Sequence, residues 1–370
     1  MGLETATKVS ELNALWPLGT DPKAQGDDHL RLIKSVMQTG DFTGLDLSAD
    51  SVSDSDGSMG EIRDSVTAIA NPNLVINGDF SVWQRGTSFS SLGANYSADR
   101  WTGSNSVQDS VTRQTDVPDG EGFAYSGRFT ATAGNQASTL TSIELQGTGV
   151  KAPFADSRYT LSFWVRGDAG NMTIALRFRD GAIATGNQVL VADLNTTQGA
   201  GWARKEFTFD LTGINPAATN ICMALIFSWE ADLTAYITGV KLEQGSQATP
   251  FIRAGNSIGG EFALCQRYYQ RFNDSQVALG KVNSSNGQSA NVVFRFPGPM
   301  RVPPTFTFSG NFNQSGDFAT AIPVTNITSN SPSINSIGFV VAVGSTLGAI
   351  GTATQIITDG TGVLKFDAEL

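Results

Sequence analysis

Between residues 73 and 253 apolar and polar residues alternate with the period of two that half-buries a strand. Tyr159, Leu161, Phe163 and Val165 alternate with Thr160, Ser162, Trp164 and Arg166, and Met172, Ile174, Leu176 and Phe178 with Thr173, Ala175, Arg177 and Arg179. Phe207, Phe209 and Leu211 repeat the period. Ile221, Met223, Leu225, Phe227 and Trp229 form the longest stripe, and the intervening Cys222, Ala224 and Ile226 are apolar too, so this segment predicts a central strand. Turns rich in Gly, Asn, Asp and Ser separate the strands, and no helical repeat intervenes. That order predicts a two-sheet sandwich over 73–253 rather than a doubly wound sheet. After a break at 253–260 and a segment dense in aromatics and Arg, alternation returns with Val292, Phe294 and Phe296 and again with Leu364, Phe366, Ala368 and Leu370. A second β-domain over 254–370 follows, read as a jelly-roll-like sandwich, which makes the chain mainly β.

The first 45 residues follow a different rule. Asp27 and Asp28 precede a run from His29 to Met37 in which Leu30, Ile33 and Met37 share a face. Acidic residues at the start and basic ones further along match a helix dipole. This short α-helical arm is too small to bury a core of its own and suits folding on a partner. Residues 46–72 are rich in Ser, Asp and Gly, as in a linker. Met59, Ile62, Val66 and Ile69 nevertheless fall at a and d spacing, with Val52 continuing the register backwards. The segment reads either as a short coiled coil, whose Ile-rich seam favours three or four strands, or as a surface helix within the linker.

Composition removes several classes of function. The 370 residues carry Lys+Arg 24 against Asp+Glu 34, a net charge of -10 that opposes general binding to phosphates. No run of roughly 18 apolar residues predicts a membrane span. Two cysteines, Cys222 and Cys265, and one histidine, His29, offer neither a disulfide framework nor a zinc-ligand spacing. No nucleotide-cradling glycine motif is present, and His29 has no partner signature for a Ser-His-Asp site. Paired carboxylates of the glycosidase kind come from residues distant in sequence and stay open.

Three stretches in series carry a resemblance. Trp16-Pro17 followed by Gly26-Asp27-Asp28-His29-Leu30 resembles the N-terminal segment of bacteriophage tail-fibre proteins. Residues 73–86, from Asn73 to Gly86, with Ala98-Asp99-Arg100-Trp101 and Val240 to Gly245, resemble the carbohydrate-binding-module-like sandwich that such fibres carry. Ala263 to Tyr269 and Phe296 to Thr305 resemble phage fibre C-terminal domains.

The resemblance implies a non-enzymatic, homotrimeric tail-fibre protein of the virion, assembled in the host cytoplasm and recognising a host surface glycan. Residues 1–45 would attach to phage tail or adaptor proteins, with Trp16, Pro17, Asp27, Asp28, His29, Leu30 and Ile33 as the contacts. Met59, Ile62, Val66 and Ile69 would trimerise, and 254–370 would form the distal tip, with 276–291 and 309–319 as contact loops. A tailspike-like polysaccharide depolymerase and a capsid, tail-adaptor or decoration protein are the alternatives. Trp83, Trp101 and Trp164 are candidates for stacking on a sugar ring, weighed against roles in the core. No cofactor is implied except a structural calcium, for which Asn77, Asp79 and Glu243 supply oxygen atoms; turn capping is the competing role for these three. Arg166-Gly167-Asp168 is read as a hairpin corner.

Overall fold

The computed structural model describes residues 53–54, 57–58, 72–90, 95–103, 110–130, 137–144, 158–179, 189–210, 222–229, 232–273, 276–316, 320–358 and 360–369. The attachment residues Trp16, Pro17, Asp27, Asp28, His29, Leu30 and Ile33 and the seam residues Met59, Ile62, Val66 and Ile69 lie outside them. In the unit 1–67, β1 (Ser53–Asp54) pairs with β2 (Gly57–Ser58) as antiparallel strands. The heptad register therefore does not run back through this segment as a helix, in keeping with the poor helix propensity of its Ser, Asp and Gly residues.

Residues 68–370 form the other unit. Its first part contains β3 (Ser88–Phe89), β4 (Trp101–Gly103), β5 (Ser110–Gln114), β6 (Ser126–Thr130), β7 (Ala137–Glu144), β8 (Arg158–Gly167), β9 (Gly170–Arg179), β10 (Val189–Gln198), β11 (Ala203–Asp210), β12 (Cys222–Trp229) and β13 (Thr234–Gln244). They make a six-stranded sheet in the order β11-β8-β13-β6-β5-β3 and a five-stranded sheet in the order β10-β9-β12-β7-β4. Tyr159, Leu161, Phe163 and Val165 of β8 face Met223, Leu225, Phe227 and Trp229 of β12 across one shared core. As the doubly apolar stripe predicts, β12 sits in the middle of its sheet. Ring pairs tie the layers together, with Phe163 edge-on to Phe227 at 5.0 Å and Phe129 stacked on Trp229 at 5.3 Å. The Arg166-Gly167-Asp168 corner joins β8 to β9, and the Asp168 carboxylate accepts from the Thr234 backbone N–H.

The second part corrects the expected sandwich. After helix α1 (Ile258–Gln266) and β14 (Tyr269–Phe272), the strands β15 (Gln276–Val282), β16 (Ser289–Arg295), β17 (Thr305–Ser309), β18 (Phe312–Gly316), β19 (Thr320–Asn330), β20 (Ser336–Val343), β21 (Ala353–Thr358) and β22 (Val363–Asp367) follow. Six of them close into a barrel in the order β15-β16-β20-β19-β18-β21, and β14-β22-β17 form a separate three-stranded sheet. Closure is set by the pairing of β21 with both β15 and β18, contacts too distant in sequence for alternation to reveal. The expected contact loops 276–291 and 309–319 are for the most part β15, β16 and β18. Among the described residues no helix is long and apolar enough to cross a membrane.

Buried charge joins the two parts. Arg100 and Glu369, both almost fully buried, form an ion pair, and the Arg100 guanidinium lies 3.6 Å from the centre of the Tyr268 ring. Arg85 reaches Asp367 at 3.1 Å and Glu369 at 3.3 Å and lies 3.6 Å over Tyr269. Arg301 donates to the backbone oxygens of Ala368 and Glu369, both at 2.9 Å. On the neighbouring flank the buried Glu261 accepts from the backbone N–H groups of Asn77 and Gly255. Asn77, Gln84, Arg85, Arg100, Tyr268, Tyr269 and Arg301, all from stretches quoted for the resemblance, take part in this junction.

Because Glu369 compensates a buried guanidinium while the Asp367 side chain is 42% exposed, Glu369→Gln should lower unfolding stability by about 3–5 kcal/mol and Asp367→Asn by under about 1 kcal/mol, measured by thermal melts of the full chain. A second outcome concerns pH. Burial pushes the Asp99 carboxyl up to about 6, against the opposing pull of Arg85 and the hydrogen bonds from Gln84. The folded state then holds a proton that the unfolded state releases near pH 4, so the Asp99 contribution falls as pH rises from 4 to 7, by about 3 kcal/mol in all. Melts of the wild type and Asp99→Asn across that range should show the wild type losing ground relative to the variant as pH increases.

Candidate functional site

Residues on the outer face of the six-stranded sheet follow from the alternation that builds the core. Val165, Ala235 and Phe129 point inward, so their neighbours Arg166, Tyr236 and Arg128 point out. Cross-strand register then aligns them: Thr112 with Arg128, Arg128 with Tyr236, and Tyr236 with Arg166. Trp202 extends the row beyond Arg166, since the next residue, Ala203, pairs with Val165. The row from Arg128 to Trp202 crosses three strand intervals, about 14 Å at the usual strand spacing.

Planar rings and guanidinium groups alternate along it. The Arg166 guanidinium lies 4.1 Å from the Tyr236 ring centre and 5.9 Å from that of Trp202, and Arg128 lies 5.9 Å from Tyr236 on the other side. Asp116 fixes one end by accepting from Arg166 Nη2 and, at 3.0 Å, from Trp202 Nε1. Tyr236, Trp202, Arg128 and Arg166 are all partly exposed. A second row places Trp164 between Thr238 of β13 and Arg204 of β11. Arg204 is paired with Glu206 and donates to the Thr249 carbonyl at 3.1 Å.

A bulge in β13 shapes the face beside Trp164. Pairing with β8 shifts between Thr238 and Lys241, and Gly239 takes a φ of +63°. A Cβ at Gly239 would come within 2.5 Å of Phe123 and 3.1 Å of Trp164, so glycine lets these rings close over the strand. Beyond the bulge the outer positions Lys241 and Glu243 are fully buried as an ion pair at 3.1 Å, with Thr249 donating to both carboxylate oxygens of Glu243. Burial draws the Lys241 ammonium below its ordinary pKa, partly offset by Glu243.

The structure separates the three candidate tryptophans. Trp83 and Trp101 are core residues: Trp101 is fully buried, stacks 4.6 Å from Phe80 and donates to the Asn77 carbonyl at 2.9 Å, while Trp83 donates to the Phe80 carbonyl. Trp164 alone of the three lies on the outer face. The proposed calcium ligands are divided among other tasks. Asn77, at a φ of +60°, donates to the carbonyls of Val82 and Asp99 and accepts from the Val82 N–H, which makes it a turn-capping hub. Asp79 pairs with Arg253 at 2.6 Å, and Glu243 with Lys241. Among the described residues no group of three or more His, Cys, Asp or Glu side chains is arranged to hold a metal.

Two concavities lie away from the row, beside α1. One, of about 500 Å³, is lined by Ser81, Val82, Trp83, Gln84, Ile258, Gly259 and Phe262, and the other, of about 480 Å³, by Phe251, Ile252, Arg253 and Asn256. Gln84 is already committed there, bonding Asp99 and the Tyr269 carbonyl. The first concavity therefore offers mainly apolar walls, whereas the row offers flat rings together with directional donors.

No protein-family model matches the chain, and no curated protein matches it. Among solved structures, the enzymatically active domain of bacteriophage CBA120 tailspike protein 4 is similar at 17% identity and a TM-score of 0.32, over 47% of this chain and 21% of that one. The chain thus spans about a fifth of that domain's length. TmCBM61, solved in complex with β-1,4-galactotriose, is 18% identical with a TM-score of 0.28, over 47% of this chain and 99% of that one. The CBM22-1 xylan-binding domain from Paenibacillus barcinonensis Xyn10C is 12% identical with a TM-score of 0.30, over 44% and 94% of the two chains.

Proposed function

We propose that this chain is a non-enzymatic adhesive component of a bacteriophage tail fibre whose sandwich binds glycan through the Arg128–Tyr236–Arg166–Trp202 row. The row is the observation that carries the reading. An aromatic face matches the apolar C–H face of a pyranose, and guanidinium donors at fixed spacing meet its hydroxyl oxygens. Both groups stand on paired strands, so little ordering entropy is lost when a sugar docks. The carboxylates of Asp116, Glu206 and Asp210 on this face are each engaged by an arginine, which favours a holding role over acid–base chemistry. The phage context rests on the sequence resemblance, and residues 1–45 attach the chain to the tail in this reading.

Self-association into a trimer belongs to the same proposal. Leu279 of β15 and Val293 of β16 pair across the outside of the barrel and are each more than half exposed, an apolar surface that supports packing against another copy. Three copies would turn weak sugar contacts into firm attachment through effective concentration.

Calorimetric titration and a glycan array with the full chain test the reading. Binding is expected, and Tyr236→Ala and Trp202→Ala should each weaken it about tenfold, roughly 1.4 kcal/mol, without changing the melting temperature by more than a few degrees. Light scattering on the same samples should give three times the 39.1 kDa protomer mass. Absence of binding to any glycan overturns the adhesive role, and release of reducing ends from a bound polysaccharide overturns its non-enzymatic character.

A further inference from the structure

The row is unevenly neutralised. Arg166 has Asp116, and on the adjoining strand Arg204 has Glu206. Arg128 meets only the edge of this pattern: its contact among the described residues is the Tyr236 ring, and its Nε is buried with no hydrogen-bond partner. The Nε of Arg166, on the other side of the same ring, is likewise buried and unpartnered. Thr112 stands beside Arg128 across the strand pair and carries no charge; its hydroxyl accepts from the Gln114 amide.

Most of the arginines around the sandwich are neutralised more fully. The chain has a net charge of -10, and six arginines that hold its two β-domains together or brace the sandwich, Arg85, Arg100, Arg158, Arg166, Arg204 and Arg253, sit against a carboxylate, while Arg301 is held by the backbone oxygens of Ala368 and Glu369. A half-buried guanidinium without a counter-charge is costly in a folded state unless something else supplies one. Neutral sugar hydroxyls give it hydrogen bonds but no charge. A carboxylate gives both, because its two oxygens match the planar fork of a guanidinium.

We infer that the row takes an acidic saccharide, with the carboxylate of one sugar unit set on Arg128 and the neighbouring ring stacked on Tyr236. This deepens the glycan-binding reading and rests on it. The surrounding negative charge of the protein then works as a filter: it disfavours polyanions in general, and Arg128 admits one carboxylate at one place. Trp202, held by Asp116 at the far end, receives a neutral unit of the same chain.

The test uses the full chain and a panel of oligosaccharides carrying galacturonate, glucuronate, mannuronate or sialate, each as the free acid and as its carboxyl methyl ester, alongside neutral oligosaccharides. At least one free acid should bind tenfold or more tightly than its ester, with an affinity that falls as NaCl rises from 50 to 500 mM. Arg128→Gln should bring the acid down to the affinity of the ester and leave the ester unchanged, whereas Tyr236→Ala should weaken both. Arg128→Lys, which keeps the charge and loses the fork, should fall between wild type and Arg128→Gln, and its melting curve guards against misfolding as the cause. Equal binding of acids and esters, or binding of neutral oligosaccharides alone, overturns the acidic preference and leaves glycan binding intact. No binding of any saccharide overturns both.

Discussion

Two guanidinium groups are buried where the sandwich meets the barrel, and the fold is arranged around their neutralisation. Charge removed from water needs an opposite charge and filled hydrogen bonds at short range. Arg100 finds both in Glu369 and the face of Tyr268, and Arg85 finds them in Asp367, Glu369, Asp99 and Tyr269. Meeting that demand brings together a loop before β4, the segment after α1 and the end of β22. The Asn77 turn, which caps three backbone groups and donates its own N–H to Glu261, sets the angle at which the loop arrives. Through these contacts the two β-domains share one compact unit.

The ligand-facing row draws on a different resource, the regularity of the sandwich. Its members come from β6, β13, β8 and the residue before β11, so their spacing is set by backbone pairing rather than by loop conformation. The bulge at Gly239 lets β13 serve two purposes. On one side it shows Tyr236 to solvent, and on the other it buries Lys241 and Glu243 under the chain near Thr249.

How much of this was legible in the sequence depended on distance. The alternation of β8, β9 and β12 was read correctly because period and burial are local, and the same alternation placed Trp164 on an outer face. Arg128 and Tyr236 escaped notice because β6 is only 5 residues long and the bulge in β13 breaks its alternation. Trp83 and Trp101 were weighed as packing residues against sugar stacking, and the structure buries both in the core, a choice a motif alone leaves open because it says nothing about which way a ring points. The barrel was taken for a sandwich, since a strand pattern does not tell which edges will meet. The central ion pair of the junction left no local trace at all, as Arg100 and Glu369 lie 269 positions apart.

One feature of the barrel's connectivity bears on how such a molecule can change. Its entry strand β14 and its exit strand β22 are hydrogen-bonded neighbours, with Tyr269 opposite Asp367. Chain enters and leaves this part of the molecule side by side, and between β16 and β18 it comes back to the same sheet as β17, which pairs with the other edge of β22. The strands β14, β22 and β17 therefore form a platform on which the six-stranded barrel is built, and a different tip would have to supply a third strand for that platform if the sandwich, its ligand-facing row and the charged latch were to stay as they are. Recombination between related genes would need to preserve that three-stranded platform as well as the latch to exchange one tip for another.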